Sequence, residues 1–147
     1  MDALDRKILN IMQKNSRITV KQIAEECFIS SPSVSVRLQN LESLGYIRTY
    51  QAVLDHQKLG FLIKAYVNCA VNAKDKQDFY RYIEEIPNVV ECDCITGDYS
   101  MLLKVYYSNT IELDEFLNDL QRFGDTKTHI VFSTNVGPRG LQIQINE

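Results

Sequence analysis

The change in hydrophobic period along the chain is the feature that most constrains its fold. Up to about residue 45, apolar residues recur at i, i+4 and i+7, which is the spacing of buried helical stripes. From about residue 62, short alternating runs take turns with helical stripes, so strands and helices should follow one another there. The pattern predicts an α+β protein built from a helical part followed by a sheet-containing part.

The first part begins with two predicted helices. An apolar stripe predicts a helix over residues 3–14. Thr19 and Gln22 have the spacing of a capping box, in which the hydroxyl and the amide satisfy free backbone N–H groups at a helix start. A second helix is therefore predicted over residues 20–27.

A third helix follows after a tight turn. Pro32 suits the first helical turn and disfavours helical geometry in the residue before it, so Ser31 is the predicted N-cap, and Gly45 ends the helix. Three short helices with a tight second turn make a helix-turn-helix, winged-helix-like domain, which we expect over residues 1–50.

The outer face of the third helix carries small hydroxyl and amide side chains. With about 100° per residue, an inward Val34 turns a polar surface outward, and the small residues let the helix enter a major groove about 12 Å wide. Gln39 and Asn40 can pair with adenine, and Val36 can contact a thymine methyl group. Arg37 lies toward the buried side of the helix, where it suits a phosphate or an internal partner. The predicted DNA-contacting residues are Ser31, Pro32, Ser33, Ser35, Val36, Arg37, Gln39 and Asn40.

Charge is distributed unevenly between the two parts. The net charge is −3, but residues 1–50 hold seven Lys/Arg against five Asp/Glu, while the rest hold nine against fourteen. Between residues 30 and 50 only Arg37 and Arg48 are basic. One copy would therefore make few phosphate contacts, and affinity for double-stranded DNA should come from several copies together.

Residues 51–61 are predicted to form the linker. The alternating, β-rich stretch that follows Gly45 predicts a two-stranded wing or a connecting strand, and residues 56–60 predict a turn and hinge.

Residues 62–147 predict a ferredoxin-like βαββαβ domain with both helices on one face of the sheet. Because the other face is left uncovered, we expect a second copy of the chain to cover it. The resulting dimer would have two DNA-binding domains and would bind a palindromic DNA site. The predicted strands cover residues 62–72, 88–96, 99–107 and 126–136, with a fifth over 141–145, and Asp75 and Thr110 are the predicted helix caps.

The most suggestive chemistry in the second part lies in the predicted tight turn at Gly97 and Asp98. Exposed backbone N–H groups at a glycine turn suit a carboxylate, and the Asp98 carboxylate suits an ammonium group. A free α-amino acid carries both groups, although an ordinary two-residue hairpin turn explains the residues equally well. The candidate effector-binding residues are Thr96, Gly97, Asp98, Tyr99 and Ser100.

Other functions find little support in the sequence. No nucleophile, base and orienting residue can be assembled, so no catalytic residue and no cofactor are predicted. The four cysteines and two histidines lack metal-ligand spacing, and the cysteines are interpreted as small core residues. No apolar run approaches the roughly 18 residues of a membrane span, and the charged N-terminus is unlike a secretory signal, so a cytoplasmic location is expected.

The spaced set of motifs resembles the Lrp/AsnC "feast/famine" family of transcription regulators along essentially the whole chain. The positions that carry the resemblance are Leu4, Asp5, Ile8, Leu9, Asn15, Arg17, Ile23, Ala24, Ile29, Ser30, Val34, Arg37, Leu38, Leu41, Glu42, Gly45, Ile47, Leu59, Gly60, Pro87, Val89, Thr96, Gly97, Asp98 and Tyr99. The resemblance implies DNA binding at the nucleoid, an amino-acid effector bound near Gly97 between dimers, and assembly of dimers into octamers or larger discs. Two positions depart from the family pattern: Phe28 replaces the usual glycine of the turn, and Ser100 replaces the Asp of many members.

Three hypotheses follow for the function. The favoured one is a sequence-specific transcription regulator tuned by an amino acid. The second is an architectural protein of the same fold that wraps DNA with little sequence preference and no effector. The third is a metabolite sensor or enzyme with a vestigial helix-turn-helix. Sequence-specific binding separates the first two.

Overall fold

The computed structural model describes residues 1–145, which form two compact units. One unit contains Met1–Val53 together with the described chain from Val136, and the other contains Leu54–Asn135. The last two residues of the predicted second domain, 146 and 147, lie outside the described residues. The elements are α1 (Ala3–Lys14), α2 (Val20–Cys27), α3 (Ser31–Ser43), β1 (Ile63–Cys69), α4 (Lys76–Glu84), β2 (Val89–Cys94), β3 (Met101–Tyr107), α5 (Thr110–Leu120) and β4 (Thr126–Ile130).

The first two helices begin with reciprocal capping boxes, which satisfy the free N–H groups of a helix start. Thr19 and Gln22 form the predicted box on α2. A second box, which the sequence analysis missed, joins Asp2 and Asp5 on α1. Its carboxylates each accept a hydrogen bond from the other residue's backbone N–H, at 2.8 and 2.9 Å.

The N-cap of α3 is Ser30, so the prediction of Ser31 was wrong by one residue. The Ser30 hydroxyl accepts a hydrogen bond from the Ser33 backbone N–H at 3.3 Å, and Ser31 is already helical. Pro32 tolerates this shift because the second helical position, like the first, has an N–H without a partner inside the helix. The helix ends as predicted, with Leu44 at the C-cap and Gly45 following at φ +75°.

The three helices enclose a small apolar core. Ile8, Ile23 and Val34 contribute one fully buried side chain from each helix, and Ile143, from the far end of the chain, packs against them. Burying each such side chain contributes roughly 1.5–3 kcal/mol, so this core orients α3 on the other two helices.

The predicted fifth strand is absent, because α1 side chains bind the backbone of residues 141–144. Asn10 accepts a hydrogen bond from the Ile143 N–H at 2.9 Å and donates one to its carbonyl at 2.8 Å. Gln13 donates to the Leu141 carbonyl and Arg6 to that of Gln144. The alternation therefore reflects an extended segment whose hydrogen-bond partners are side chains instead of a neighbouring strand.

The predicted wing or connecting strand is also absent, because the chain after α3 folds back on that helix. The backbone N–H groups of Tyr46 and Ile47 both donate to the Leu41 carbonyl, at 2.9 and 3.2 Å. The Tyr50 hydroxyl donates to the Glu42 carboxylate at 2.6 Å. Alternation alone supplies no partner strand, and irregular backbone follows up to β1 apart from the turn over 56–60, which was predicted.

The second unit confirms the ferredoxin-like prediction. Its four strands form an antiparallel sheet in the order β2-β3-β1-β4. The inner faces of β1 and β3 are buried together with Phe79 and Ile83 of α4 and Phe116 and Leu120 of α5, so both helices cover one face.

The helix starts of the second unit differ slightly from prediction. Asn109, instead of Thr110, caps α5, because its side-chain oxygen accepts a hydrogen bond from the Glu112 N–H at 3.0 Å. Asp75 occupies the N-cap position of α4 as predicted, although it makes no side-chain capping hydrogen bond.

Candidate DNA-binding surface and effector loop

The outward face of α3 carries the predicted DNA-contacting residues. Val34 and Leu41 are buried and hold the opposite side of the helix in the core, as the helical spacing predicted. Val36 leaves 56% of its surface exposed although it is apolar. The remaining members of the set divide into two groups: Pro32, Gln39 and Asn40 are exposed, whereas Ser31, Ser33, Ser35 and Arg37 are half-buried.

A groove runs beside this face within the helical unit. Pro32, Ser33, Val36, Arg37 and Asn40 line it from α3. Five of the eight predicted residues therefore border one concave surface. Its remaining lining residues are Met1, Asp5, Leu41, Leu44 and Tyr46.

The hydroxyl groups of α3 differ in their availability to a ligand. The Ser35 hydroxyl donates to the carbonyl of Ser31 at 3.2 Å, one turn earlier. Ser30 uses its hydroxyl as the cap. Ser35 therefore contributes mainly its small size, which lets the helix backbone approach another surface closely.

Arg37 has internal partners, which resolves the alternative left open by the sequence. Its Nη1 atom lies 2.7 Å from the Oδ2 of Asp2 and 2.6 Å from the Oδ1 of Asp5. These hydrogen bonds raise the pKa of Arg37. The backbone N–H of Asp5 and then the Arg37 guanidinium lower the pKa of Asp2. Arg37 therefore binds both carboxylates of the α1 capping box and is not a free cation on the outward face of α3.

Phe28 preserves the turn between α2 and α3 in the conformation that glycine favours. It lies at φ 58° and ψ 42°, in the left-handed region, and its side chain is 91% exposed. The left-handed conformation costs an L-residue roughly 1–2 kcal/mol. The Lys7 ammonium lies 5.5 Å from the centre of the ring and compensates part of this strain. The departure from glycine therefore changes the energy of the turn and not its geometry.

The helical unit also exposes cations outside α3. Their excess over acidic residues was visible in the first 50 positions of the sequence, but none of them was predicted to contact DNA. Lys14, Arg17, Lys21 and Arg48 are exposed in the helical unit.

The segment from Thr96 to Ser100 forms a wider connection than the predicted two-residue turn. The Ile95 N–H donates to the Ser100 carbonyl at 2.9 Å, so this hydrogen bond closes a turn of four residues, 96–99, between β2 and β3. Gly97 adopts φ +108°, a conformation that L-residues with side chains rarely adopt, and a Cβ there would meet no atom within 4 Å. The loop therefore needs glycine for its backbone conformation and not for lack of space.

Ser100 has a structural role at the end of β1. Its hydroxyl accepts a hydrogen bond from the Val71 N–H at 2.9 Å and lies 3.0 Å from the Val71 carbonyl, to which it can donate. Its backbone N–H donates to the Cys69 carbonyl at 3.2 Å. Among the other candidate effector residues, Thr96, Gly97 and Asp98 are exposed and Tyr99 is half-buried.

Three of the four cysteines, together with His56, have packing roles. Cys27 and Cys69 are buried as predicted, Cys92 is half-buried against the sheet core, and Cys94 is exposed, which corrects the prediction for that residue. Burial raises the pKa of the Cys92 thiol to about 11. His56 stacks on Tyr106 with ring centres 3.9 Å apart.

The described chain carries neither a cluster of metal ligands nor a membrane-spanning helix. Within residues 1–145, no group of three or more His, Cys, Asp or Glu residues is arranged to hold a metal ion. No helix in that range is long and apolar enough to cross a membrane.

Comparison with known proteins defines the class. Residues 1–48 match a winged helix-turn-helix DNA-binding domain, and residues 64–140 match the Lrp/AsnC ligand binding domain. A DNA-binding domain joined to a ligand-binding domain defines a ligand-responsive transcription regulator. The chain belongs to the Lrp/AsnC family.

Individual relatives agree with this assignment. The chain is 31% identical to the HTH-type transcriptional regulator LrpC of Bacillus subtilis over 133 residues, covering 90% of this chain and 92% of LrpC. It is 33% identical to LrpA of the same organism over 132 residues, covering 89% and 97%. These relatives are described as transcriptional regulators and not as enzymes.

Solved structures show the same fold. The structure of LrpC superposes with a TM-score of 0.88 at 30% identity, covering 94% of this chain and 99% of LrpC. A transcriptional regulator of Neisseria meningitidis in complex with L-methionine gives a TM-score of 0.89 at 23% identity, covering 99% and 97%.

Proposed function

We propose that the protein is a sequence-specific DNA-binding transcription regulator whose binding is modulated by a free amino acid. The observation that carries the proposal is the outward face of α3, which displays small, polar and apolar groups while Val34 and Leu41 hold its other side in the core. A helix held in this way can enter a major groove as a rigid element.

Specific roles follow from the chemistry of each exposed group. Gln39 and Asn40 present amides that match the donor and acceptor pair of adenine, and Val36 presents methyl groups to thymine. The exposed cations of the helical unit outside α3, in particular Lys21 and Arg48, are proposed to bind phosphates and position the helix.

The effector is proposed to bind at the loop between β2 and β3. Gly97 exposes backbone N–H groups that suit a carboxylate, and Asp98 supplies a carboxylate for an α-ammonium group. The L-methionine complex of the Neisseria regulator makes an amino acid the natural candidate. Because Thr96 and Asp98 are exposed, the proposed site takes its remaining wall from another copy of the chain.

The proposed assembly begins with a dimer through the uncovered face of the sheet. Tyr66 and Leu102 lie half-buried on this face between charged side chains, and His56 stacks on the half-buried Tyr106 there. A two-fold dimer presents two copies of α3 to a palindromic site, and octamers or larger discs of dimers would add weak contacts together. The proposed place of action is the nucleoid in the cytoplasm.

Fluorescence anisotropy tests the DNA-binding part of the proposal. A labelled fragment from upstream of the protein's own gene and a shuffled fragment of equal composition are titrated at two salt concentrations. A preference of ~10³ or more supports a specific regulator. Equal binding that falls steeply with salt would favour the architectural alternative.

Calorimetry with the natural amino acids tests the effector part. Gly97→Val places a β-branched residue at φ +108°, and Asp98→Ala removes the proposed ammonium partner. Both changes should weaken amino-acid binding at least tenfold. Gly60→Val is the matched control, because Gly60 has a similar φ of +90° in a different loop. Unchanged binding in the two loop variants would remove this loop from the site.

A further inference from the structure

Arg37 alone supplies positive charge to α3, because it is the only Lys or Arg of that helix. Its Nη1 atom contacts one carboxylate oxygen of Asp2 and one of Asp5, at 2.7 and 2.6 Å. A single guanidinium group thus faces two negative charges, so the reading helix presents no uncompensated cation of its own.

The two carboxylates are themselves held in place. Asp2 and Asp5 form the capping box of α1 and accept each other's backbone N–H groups. Their position is therefore fixed by the fold of α1 before Arg37 reaches them. Charge-assisted hydrogen bonds of this kind are about twice as strong as neutral ones.

Arg37 also lies where a released guanidinium would reach DNA. It lines the same groove as Ser33 and Asn40, one helical turn away on either side, and Asp5 lines that groove as well. Residues on the flank of a recognition helix face the phosphates that border the groove. Asp2 and Asp5 thus compete with the DNA backbone for this cation.

We propose that Asp2 and Asp5 limit the sequence-independent affinity of the protein for DNA by holding Arg37 away from phosphates, so that this arginine adds no charge contact to specific or non-specific binding. This inference rests on the proposed DNA-binding function. Asp2 and Asp5 are positioning residues, since they act on DNA only through the charge and orientation of Arg37.

Phosphate contacts add affinity for every sequence alike. Each neutralised phosphate adds about 0.9 to the slope of log K against log salt concentration and strengthens specific and non-specific binding together. In a dimer, two clamped arginines remove two such contacts. Holding them therefore lowers the affinity for random DNA and for a specific site by the same factor, and leaves the ratio between the two to the base contacts.

The test is the double variant Asp2→Asn, Asp5→Asn in the full-length protein. Asparagine caps helices about as well as aspartate, so α1 should remain folded. The matched control is Glu25→Gln, Glu26→Gln, which makes the same charge change at two exposed positions on α2. A triple variant adds Arg37→Gln to the double one. Anisotropy on the upstream and shuffled fragments over a range of salt concentrations measures affinity and salt slope.

The expected result is a gain in binding to shuffled DNA of roughly tenfold per released arginine at 0.1 M salt, with the salt slope steeper by about 0.9 per protomer. Binding to the upstream fragment should gain by the same factor, so the preference should stay near its wild-type value. The triple variant should lose the gain, and the Glu25/Glu26 control should show a smaller gain.

Other outcomes would overturn the inference. If the double variant binds shuffled DNA with the wild-type slope, Arg37 does not reach phosphates when released. If the triple variant keeps the gain, the effect comes from net charge. Wild-type protein that binds neither fragment would instead contradict the proposed function itself.

Discussion

Helix α3 and the loop between β2 and β3 differ in how much of the proposed binding surface one chain supplies. α3 is capped at Ser30, held in the core by Val34 and bordered by a groove that belongs to its own unit. The loop between β2 and β3 holds Gly97 at φ +108°, but its polar side chains at Thr96 and Asp98 are exposed and the Ser100 hydroxyl bonds to the backbone of Val71. We infer that DNA recognition needs one chain per half-site, whereas effector recognition needs a neighbouring copy.

The two regions also differ in how they hold their shape. α3 depends on a cap, a buried stripe and an ion pair whose residues lie within the first 41 positions, with Ile47 and Ile143 also packed against its core. The loop depends on Gly97 and on the hydroxyl of Ser100, which bonds to the carbonyl of Cys69, 31 residues earlier in the chain. Substitutions should therefore separate folding from binding cleanly in α3 and less cleanly in the loop.

Val34→Asp should have the largest effect. Val34 is fully buried at the joint of the helices, and an unpaired carboxylate there costs about 4 kcal/mol or more. We expect this variant to lose both the α-helical circular dichroism signal of the first unit and DNA binding. Val36→Asp, two residues further on the exposed side, should lose DNA binding and keep the spectrum. Equal spectra for both variants would contradict the inward orientation of Val34.

Ser100→Ala should lower the free energy of unfolding by about 1–2 kcal/mol, because the buried Val71 N–H loses its acceptor. Chemical denaturation measures this change. Calorimetry on the same variant should show amino-acid binding within about twofold of the wild type. Wild-type stability combined with lost binding would instead place Ser100 in the effector site.

Ser30→Ala should cost about 1 kcal/mol of stability, since the N-cap hydroxyl is removed from α3. Ser31→Ala is the matched control and should change stability by less than about 0.5 kcal/mol. Urea denaturation of the two variants decides between the caps. A larger loss at Ser31 would restore the cap position that the proline had suggested.

Phe28→Gly should have the smallest effect and the opposite sign. Glycine removes the left-handed strain but adds freedom to the unfolded chain, so a gain of about 0.5–1 kcal/mol is expected. Phe28→Ala keeps the Cβ and the strain and should not gain. A loss of stability in Phe28→Gly, measured by thermal unfolding, would mean that the contact with Lys7 outweighs the strain.

Local signals explain which parts of the fold were predictable from the sequence. Thr19 and Gln22 satisfy backbone groups three residues apart, so their capping box was visible, and so was the alternation that defines the four strands. The segment around Ile143 alternates as well, but its partner is Asn10, 133 positions away. Alternation gives the conformation of such a segment and not the identity of what it binds.

The candidate sites show the same limit. The inward and outward sides of α3 followed from helical spacing, since they depend on a single helix. The pairing of Arg37 with Asp2 and Asp5 depends on the crossing of two helices, and spacing could only offer an internal partner as one of two alternatives. The role of Ser100 depends on strand register, which fixes Cys69 opposite Met101.

The most direct test of the central claim concerns the outward face of α3. Binding of the Ser35→Asp, Gln39→Glu double variant to the upstream and shuffled fragments is compared by anisotropy with that of a control carrying the same charges elsewhere, Ser16→Asp with Gln51→Glu. The α3 variant should remain folded and lose its preference for the upstream fragment, while the control keeps it. An α3 variant that retains wild-type preference and affinity would show that DNA is recognised by another surface.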